Sequence, residues 1–145
     1  MIKRILYPTD FSAHAQKCLD YILKLKDCGI EEVVLLHVMD DRIIKYSEEM
    51  FEESIDEQTV IDQCQKACAT KLAELEKALK NEGLKVKTIV RLGVPFSVII
   101  NAAEEVDASM IVMGHRGHTL VKEMLLGSTA EKVARKCRRP LLLIR

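Results

Sequence analysis

The stretch Ser109–Val133, SMIVMGHRGHTLVKEMLLGSTAEKV, decides how this chain folds. It opens on an apolar run, Met110 to Met113, closed by Gly114. A run that short and apolar at every position reads as a strand buried on both faces. Gly117 follows, and then Gly127, Ser128 and Thr129 open a helix. Ser128 with Glu131 three places on has the pattern of a capping box, which marks that helix start. Glycines at such turns let backbone N–H groups approach a ligand with no Cβ in the way. The first N–H groups of a helix are unpaired and lie at its positive end. A strand, a glycine turn and a helix start therefore make a seat for phosphate. The same connection also occurs in α/β domains without a ligand, and glycines alone are a weak signal. The spacing is neither GxxxxGK[ST] nor a GxGxxG that follows a strand.

Outward from that stretch the chain alternates strands and helices. Ile2–Tyr7 is short and apolar, with β-branched and aromatic content, and Pro8 stops it. Thr9-Asp10-Phe11-Ser12 is a turn with Ser12 as N-cap. A helix from Ala13 to about Cys28 carries Ala15, Cys18, Leu19, Ile22, Leu23 and Leu25 on one face, and Gly29 ends it. Glu32–Met39 contains Val33-Val34-Leu35-Leu36, apolar on both sides, which suits a central parallel strand. His37 near its end reads as a packed or hydrogen-bonded residue.

Asp40 to about Thr59 is the least regular and most acidic part. It reads as the solvated start of a helix, with a flap over the site or a partner surface as the functional alternative. Met50, Phe51 and Ile55 imply that part of it packs against something. A long helix then runs to about Asn81, and Lys85–Arg91 alternates like an edge strand. Gly93-Val94-Pro95 turns into a helix with Val98, Ile99, Ala102 and Ala103 inward. The helix after Gly127 reaches about Cys137, and Pro140–Ile144 is a last strand.

Such an order predicts an α/β fold: one domain over 1–145, a three-layer sandwich with a five-stranded parallel sheet between helices. The flavodoxin-like, Rossmann-like order 3-2-1-4-5 is the expected one. Ligands then bind beyond the carboxyl ends of strands one and four, where the order reverses. Asp10 and Gly114 leave those two strands, so residues more than a hundred apart in sequence meet there.

Composition narrows the class. Lys plus Arg equals Asp plus Glu at 22 each, which argues against a general nucleic-acid binder. No run is long enough to span a membrane, and no signal peptide is recognisable. Five cysteines, Cys18, Cys28, Cys64, Cys68 and Cys137, form an odd set without CxxC, as in a reduced, cytoplasmic protein. Cys64 and Cys68 stand at i, i+4 and could share a metal with two more ligands, but no nearby histidine completes the set. They read as packed thiols.

Gly114-x2-Gly117-x9-Gly127-Ser128 resembles in full the nucleotide signature of the ATP-binding branch of the universal stress protein family. Leu6-Tyr7-Pro8-Thr9-Asp10, Leu36-His37-Val38, and Gly127–Val133 followed by Arg139–Ile144 are also similar to that family. The resemblance covers nearly the whole chain. It implies the same strand order, ATP as ligand, and a homodimer paired through the last strand; Mg²⁺ is expected to accompany the ATP. It also implies that Pro8, Thr9, Asp10, Val38 and Met113 line the adenosine pocket. By spacing alone Val38 and Met113 are core residues.

The chemistry assigns the remaining roles. Backbone N–H groups of Gly114–Gly117 and Gly127–Thr129 would hold phosphates, and the hydroxyls of Ser128 and Thr129 can donate to phosphate oxygens. His115, Arg116 and His118 stand in the loop, where the family often has small or polar residues; their alternative is to face solvent. Asp10 suits ribose hydroxyls, or a Mg²⁺ held mainly by the ATP phosphates, and its alternative is to cap the first helix. No protein metal site is otherwise expected.

These features imply a nucleotide-dependent switch or a chaperone-like stress factor, the latter with a protein client. The first rival is a slow ATPase or nucleotidyl transferase using the same pocket. No catalytic residue is assigned, because no carboxylate partners His115 or His118, and neither HxGH nor SGGxDS occurs. A phosphorylated receiver would need an Asp where Arg91-Leu92-Gly93 stands. A purely structural dimer leaves the complete glycine pattern unexplained.

Overall fold

Five parallel strands form because each carries apolar side chains that both faces of a sheet can bury. The computed structural model describes residues 2–115 and 127–145. The strands are β1 (Arg4–Pro8), β2 (Glu32–Asp40), β3 (Lys85–Gly93), β4 (Met110–Gly114) and β5 (Leu141–Ile144). They pair in the order β3-β2-β1-β4-β5, as expected, and every pairing is parallel. Ile5 sits opposite Val33 on one side and Met110 on the other. Around the sheet lie α1 (Ala13–Leu25), α2 (Asp41–Phe51), α3 (Glu57–Asn81), α4 (Pro95–Glu105) and α5 (Ser128–Lys136).

Successive strand residues point to opposite faces, and this splits the apolar runs between two cores. Ile5, Tyr7, Val33, Leu35 and Val112 meet Cys18 and Ile22 of α1 and Leu75 and Leu79 of α3. Leu6, Val34, Leu36, Ile111 and Met113 meet Ile99, Ala102 and Ala103 of α4 and Ala130 and Val133 of α5. The result is three layers. In the first core the Tyr7 hydroxyl donates to the Ala15 carbonyl at 2.5 Å. Burial pushes that phenol above its ordinary range and raises the Cys18 thiol to about 12. Cys18 is thus an inert core thiol.

Leu79 is fully buried where α3 meets the sheet. Leu79→Ala is expected to destabilise the fold by about 2–5 kcal/mol, the range for a leucine cavity in a packed core. A denaturant titration monitored by circular dichroism checks it: a lower midpoint with an unchanged slope is the expected result.

The helix ends follow local chemistry, with two departures from the sequence reading. Ser12 caps α1 by accepting from the Ala15 N–H at 3.2 Å. The helix itself stops at Leu25, and a 3-10 turn over Lys26–Cys28 leads to Gly29. Gly29 has φ 97°, a left-handed conformation that suits glycine. The second departure is larger. The acidic segment contains a whole helix, α2, capped by Asp40, whose carboxylate accepts from the Arg42 N–H at 3.0 Å. Asp56 caps α3 in the same way, accepting from Thr59 N–H at 3.1 Å. Acids at these positions serve helix starts, which is why their density hid a helix.

The inward residue of α2 is Ile44. Met50 and Phe51, expected to pack, are 59% and 72% exposed, while Ile55 is half-buried. Among the described residues no helix is long and apolar enough to cross a membrane.

Candidate functional site

β1 and β4 are neighbours, but the chain leaves them toward opposite faces. After β1 it turns into α1, which packs in the first core. Beyond β4 lies α5, which packs in the second. A crevice therefore opens at the carboxyl ends of the two strands, as the strand order requires.

The β1 side of that crevice is a tightly bonded turn. Thr9 is buried, and its N–H donates to the Leu36 carbonyl at 2.9 Å. The Thr9 carbonyl lies 2.8 Å from His37 Nδ1, so that nitrogen carries the proton and donates. The Thr9 hydroxyl oxygen accepts from the Phe11 N–H at 3.1 Å. Asp10 Oδ1 accepts from the Ser12 N–H at 2.9 Å. These bonds hold Phe11 at φ 62°, an unusual conformation for a bulky residue. Asp10 thus braces the turn, while Ser12 is the helix cap.

The opposite side is the start of α5. The His115 N–H donates to the Ile144 carbonyl at 2.7 Å, and the His115 carbonyl accepts from the Gly127 N–H at 2.9 Å. Those two bonds fasten both described ends of the glycine segment to the sheet. They also change the expected donor set, because the Gly127 N–H is already used. Ser128 and Thr129, the first helical residues, supply N–H groups with no acceptor inside α5. The expected capping box is absent. Gly127 is the N-cap and no side chain caps the helix, since Ser128 is its first helical residue. Glu131 instead pairs with Arg135, one turn further along.

Between the two sides lies a cavity of about 600 Å³, of a size with small-molecule and cofactor sites. Pro8, Thr9, Asp10, Val38, Met113, Gly114, Gly127, Ser128 and Thr129 line it. His115 is not among the lining residues. Arg116, Gly117 and His118 lie outside the described residues. Val38, Met113 and Ile99, which pack in one cluster, give it an apolar wall, and polar groups stand on both sides, Asp10 on the β1 side and Ser128 and Thr129 at the start of α5.

The structure adds lining residues that the sequence reading passed over. Arg42 and Ile43 come from α2, and Pro95 and Ile99 from α4. Arg42 is bound by Asp40, with its Nε 2.9 Å and 3.0 Å from the two carboxylate oxygens. The Arg42 side chain holds the Asp40 carboxyl below its ordinary range. Asp40 at the end of a strand, with Arg42 two residues on, was the signal that could have placed the cation here.

One expectation is corrected. A histidine does stand beside Cys64 and Cys68, although it is distant in sequence: the ligand atoms of His37, Cys64 and Cys68 all lie within 4.8 Å of one another. Burial, and then the neighbouring Cys68, push the Cys64 thiol up to about 11.

Comparison with known proteins places this geometry. The family model described as "Universal stress protein family" matches residues 1–145. The chain belongs to the universal stress protein family.

It is 36% identical to universal stress protein MJ0577 of Methanocaldococcus jannaschii, over 100% of this chain and 96% of that one. The solved structure of MJ0577 superimposes with a TM-score of 0.87 at 39% identity, covering 99% of this chain and 96% of that chain. Universal stress protein YxiE of Bacillus subtilis is 30% identical over the full length of both. A universal stress protein of Archaeoglobus fulgidus, solved in complex with dAMP, has a TM-score of 0.63 and 19% identity, covering 100% of this chain and 98% of that chain. A likeness of that degree concerns the fold.

The family resemblance implies a nucleotide, and the described lining residues fit one. The apolar wall is suited to a base, the α5 N-terminus to a phosphate, and the Asp10 carboxylate to a hydroxyl or a hard cation.

Proposed function

We propose that the chain binds ATP, together with Mg²⁺, in the cavity between β1 and β4. It acts as a nucleotide-dependent switch or stress factor rather than as a dedicated enzyme. One observation carries this reading: the cavity joins an apolar wall, a carboxylate and the first N–H groups of a helix at the point where the strand order reverses. Val38, Met113 and Ile99 would take the adenine. Asp10 would accept from the ribose hydroxyls or meet the Mg²⁺, which the phosphates themselves hold in the main. Ser128 and Thr129 would donate to phosphate oxygens through both N–H and hydroxyl. Arg42, which lines the cavity from α2, adds a cation whose charge Asp40 balances. The dAMP-bound relative shares the fold that creates the crevice. Calorimetry with ATP, Mg²⁺ and adenosine tests the reading. Affinity for ATP no better than for adenosine would remove the phosphate assignment.

Turnover is expected to be slow. Enzymes commonly reach about 1–10³ s⁻¹ by placing groups on the transition state. The imidazole among the lining residues, His37, is oriented by the Thr9 carbonyl rather than by a carboxylate. A phosphate-release assay on the isolated protein is expected to give a rate below that range. A faster rate, abolished by a pocket substitution, would mean that the protein is an enzyme.

The same reading includes a homodimer through β5, and an acidic α2 surface open to a protein client.

A further inference from the structure

Three side chains from separate parts of the chain meet beside the cavity, on the side of the sheet that α3 covers. His37 projects from β2, and Cys64 and Cys68 from neighbouring turns of α3. We propose that His37, Cys64 and Cys68 form a binding site for a soft divalent cation of the zinc class. Two thiolates and one imidazole hold it, and a fourth position stays open to water or an incoming ligand.

The geometry is that of a metal site before any adjustment. The two sulfurs are 3.9 Å apart. Two thiolates each about 2.3 Å from a tetrahedral zinc stand about 3.8 Å from one another. Residues four apart on a helix share a face, so α3 presents both sulfurs together. All three ligand atoms fall within 4.8 Å of one another, and no other group of three such side chains does so among the described residues.

The orientation of His37 is a second, independent sign. Its Nδ1 donates to the Thr9 carbonyl at 2.8 Å, which fixes the tautomer and leaves the lone pair on Nε2. Metal-binding histidines are commonly held in this way, by a hydrogen bond from the other ring nitrogen to a carbonyl or carboxylate. Phe11 packs against the ring at 4.9 Å between centroids and limits its rotation.

Charge and softness choose the ion. Two thiolates and one neutral imidazole cancel the charge of a dication, which suits a site where Cys64 is buried and its partners half-buried. Sulfur and imidazole donors select zinc-like ions over Mg²⁺, which takes oxygen. The site is therefore distinct in chemistry from a phosphate-bound Mg²⁺. His37 also lines the cavity, so the two sites share a wall.

The test uses the whole chain, reduced, stripped of metal and free of nucleotide, so the outcome does not depend on the ATP reading. Co²⁺ is titrated as a spectroscopic probe and then displaced by Zn²⁺. The expected result is one Co²⁺ per chain, with a thiolate-to-cobalt charge-transfer band and the intense visible bands of a tetrahedral site. Zn²⁺ then removes both and raises the thermal midpoint. Cys64→Ser and Cys68→Ser should each abolish the charge-transfer signature at one equivalent. Each should weaken Zn²⁺ binding by more than the roughly 10–100-fold typical of losing an outer-shell partner. His37→Gln should shift the visible bands and weaken binding. A Cys28→Ser/Cys137→Ser double variant should keep the full signal. Circular dichroism reports folding, and half-buried Cys68 serves if the Cys64 variant fails to fold. No charge-transfer band at stoichiometric Co²⁺ overturns the proposal. So does a band that persists in folded Cys68→Ser or disappears in the double variant. Isolation from reducing buffer as a Cys64–Cys68 disulfide overturns it as well.

Discussion

Gly127→Val is expected to weaken ATP binding by ~100-fold or more while the chain stays folded. Gly127 lines the cavity at the start of α5, one residue before the N–H groups that would meet a phosphate. Its φ of −67° and ψ of 152° are extended backbone that any residue adopts, so valine adds no backbone strain. What valine adds is a branched side chain where phosphate must approach the backbone. Hydrogen bonds to a charged acceptor contribute about 1.5–3 kcal/mol each. Losing two therefore removes about 3 kcal/mol or more, and each 1.4 kcal/mol is about tenfold in Kd. Valine is also a poor N-cap, at a cost on the order of 1 kcal/mol to the helix. Gly127→Ser separates the two effects, since it restores a cap with a small side chain. Calorimetry on the three proteins decides. Equal affinity in wild type and folded Gly127→Val would exclude phosphate from this helix start.

The second large effect concerns assembly: a proline at Leu143 is expected to convert a dimer into a monomer. In the described sheet β5 is the last strand, paired with β4 on one side. Leu141, Leu142 and Leu143 are apolar, and an open apolar edge invites a second strand. A two-fold axis would pair two copies of β5 antiparallel. The register shows which substitution tests this. Pro140 and Ile144 turn their carbonyls inward, accepting from Ile111 N–H at 2.8 Å and His115 N–H at 2.7 Å. Backbone groups alternate sides along a strand, so Leu142 also faces β4, while Leu141 and Leu143 face outward. Leu142→Pro would damage the sheet inside the chain. Leu143→Pro removes an outward donor and leaves the β4 ladder intact. Sedimentation is expected to show a dimer for wild type and a folded monomer for Leu143→Pro. A wild type that remains a monomer at high micromolar concentration defeats the dimer. A folded Leu143→Pro dimer of unchanged affinity moves the interface elsewhere.

The strand runs and most helix faces were legible in the sequence because they depend on local periodicity. Val33–Leu36 and Met110–Met113, apolar at every position, could only be central strands covered on both sides. Once the strand order was assigned, Asp10 and Gly114 had to meet at one crevice, and both line the cavity. The complete glycine spacing carried the family.

Local chemistry misled where one residue type serves two purposes. The acids around Asp40 and Asp56 looked like a solvated run, yet these two are helix caps. Ser128 followed by Glu131 looked like a capping box, but the helix begins one residue earlier, with Gly127 as N-cap.

Distance in sequence hid the rest. That Gly127 gives its N–H to His115 joins two residues twelve apart, which local periodicity does not foresee. Arg42 reaches the cavity because β2 runs on past the end of β1 before α2 begins. His37 meets Cys64 and Cys68 because α3 packs back over the end of β2. Periodicity assigns a residue to a face of its own element. Which elements then bring their faces together is set by the packing of the whole chain, and only the tertiary structure decides it.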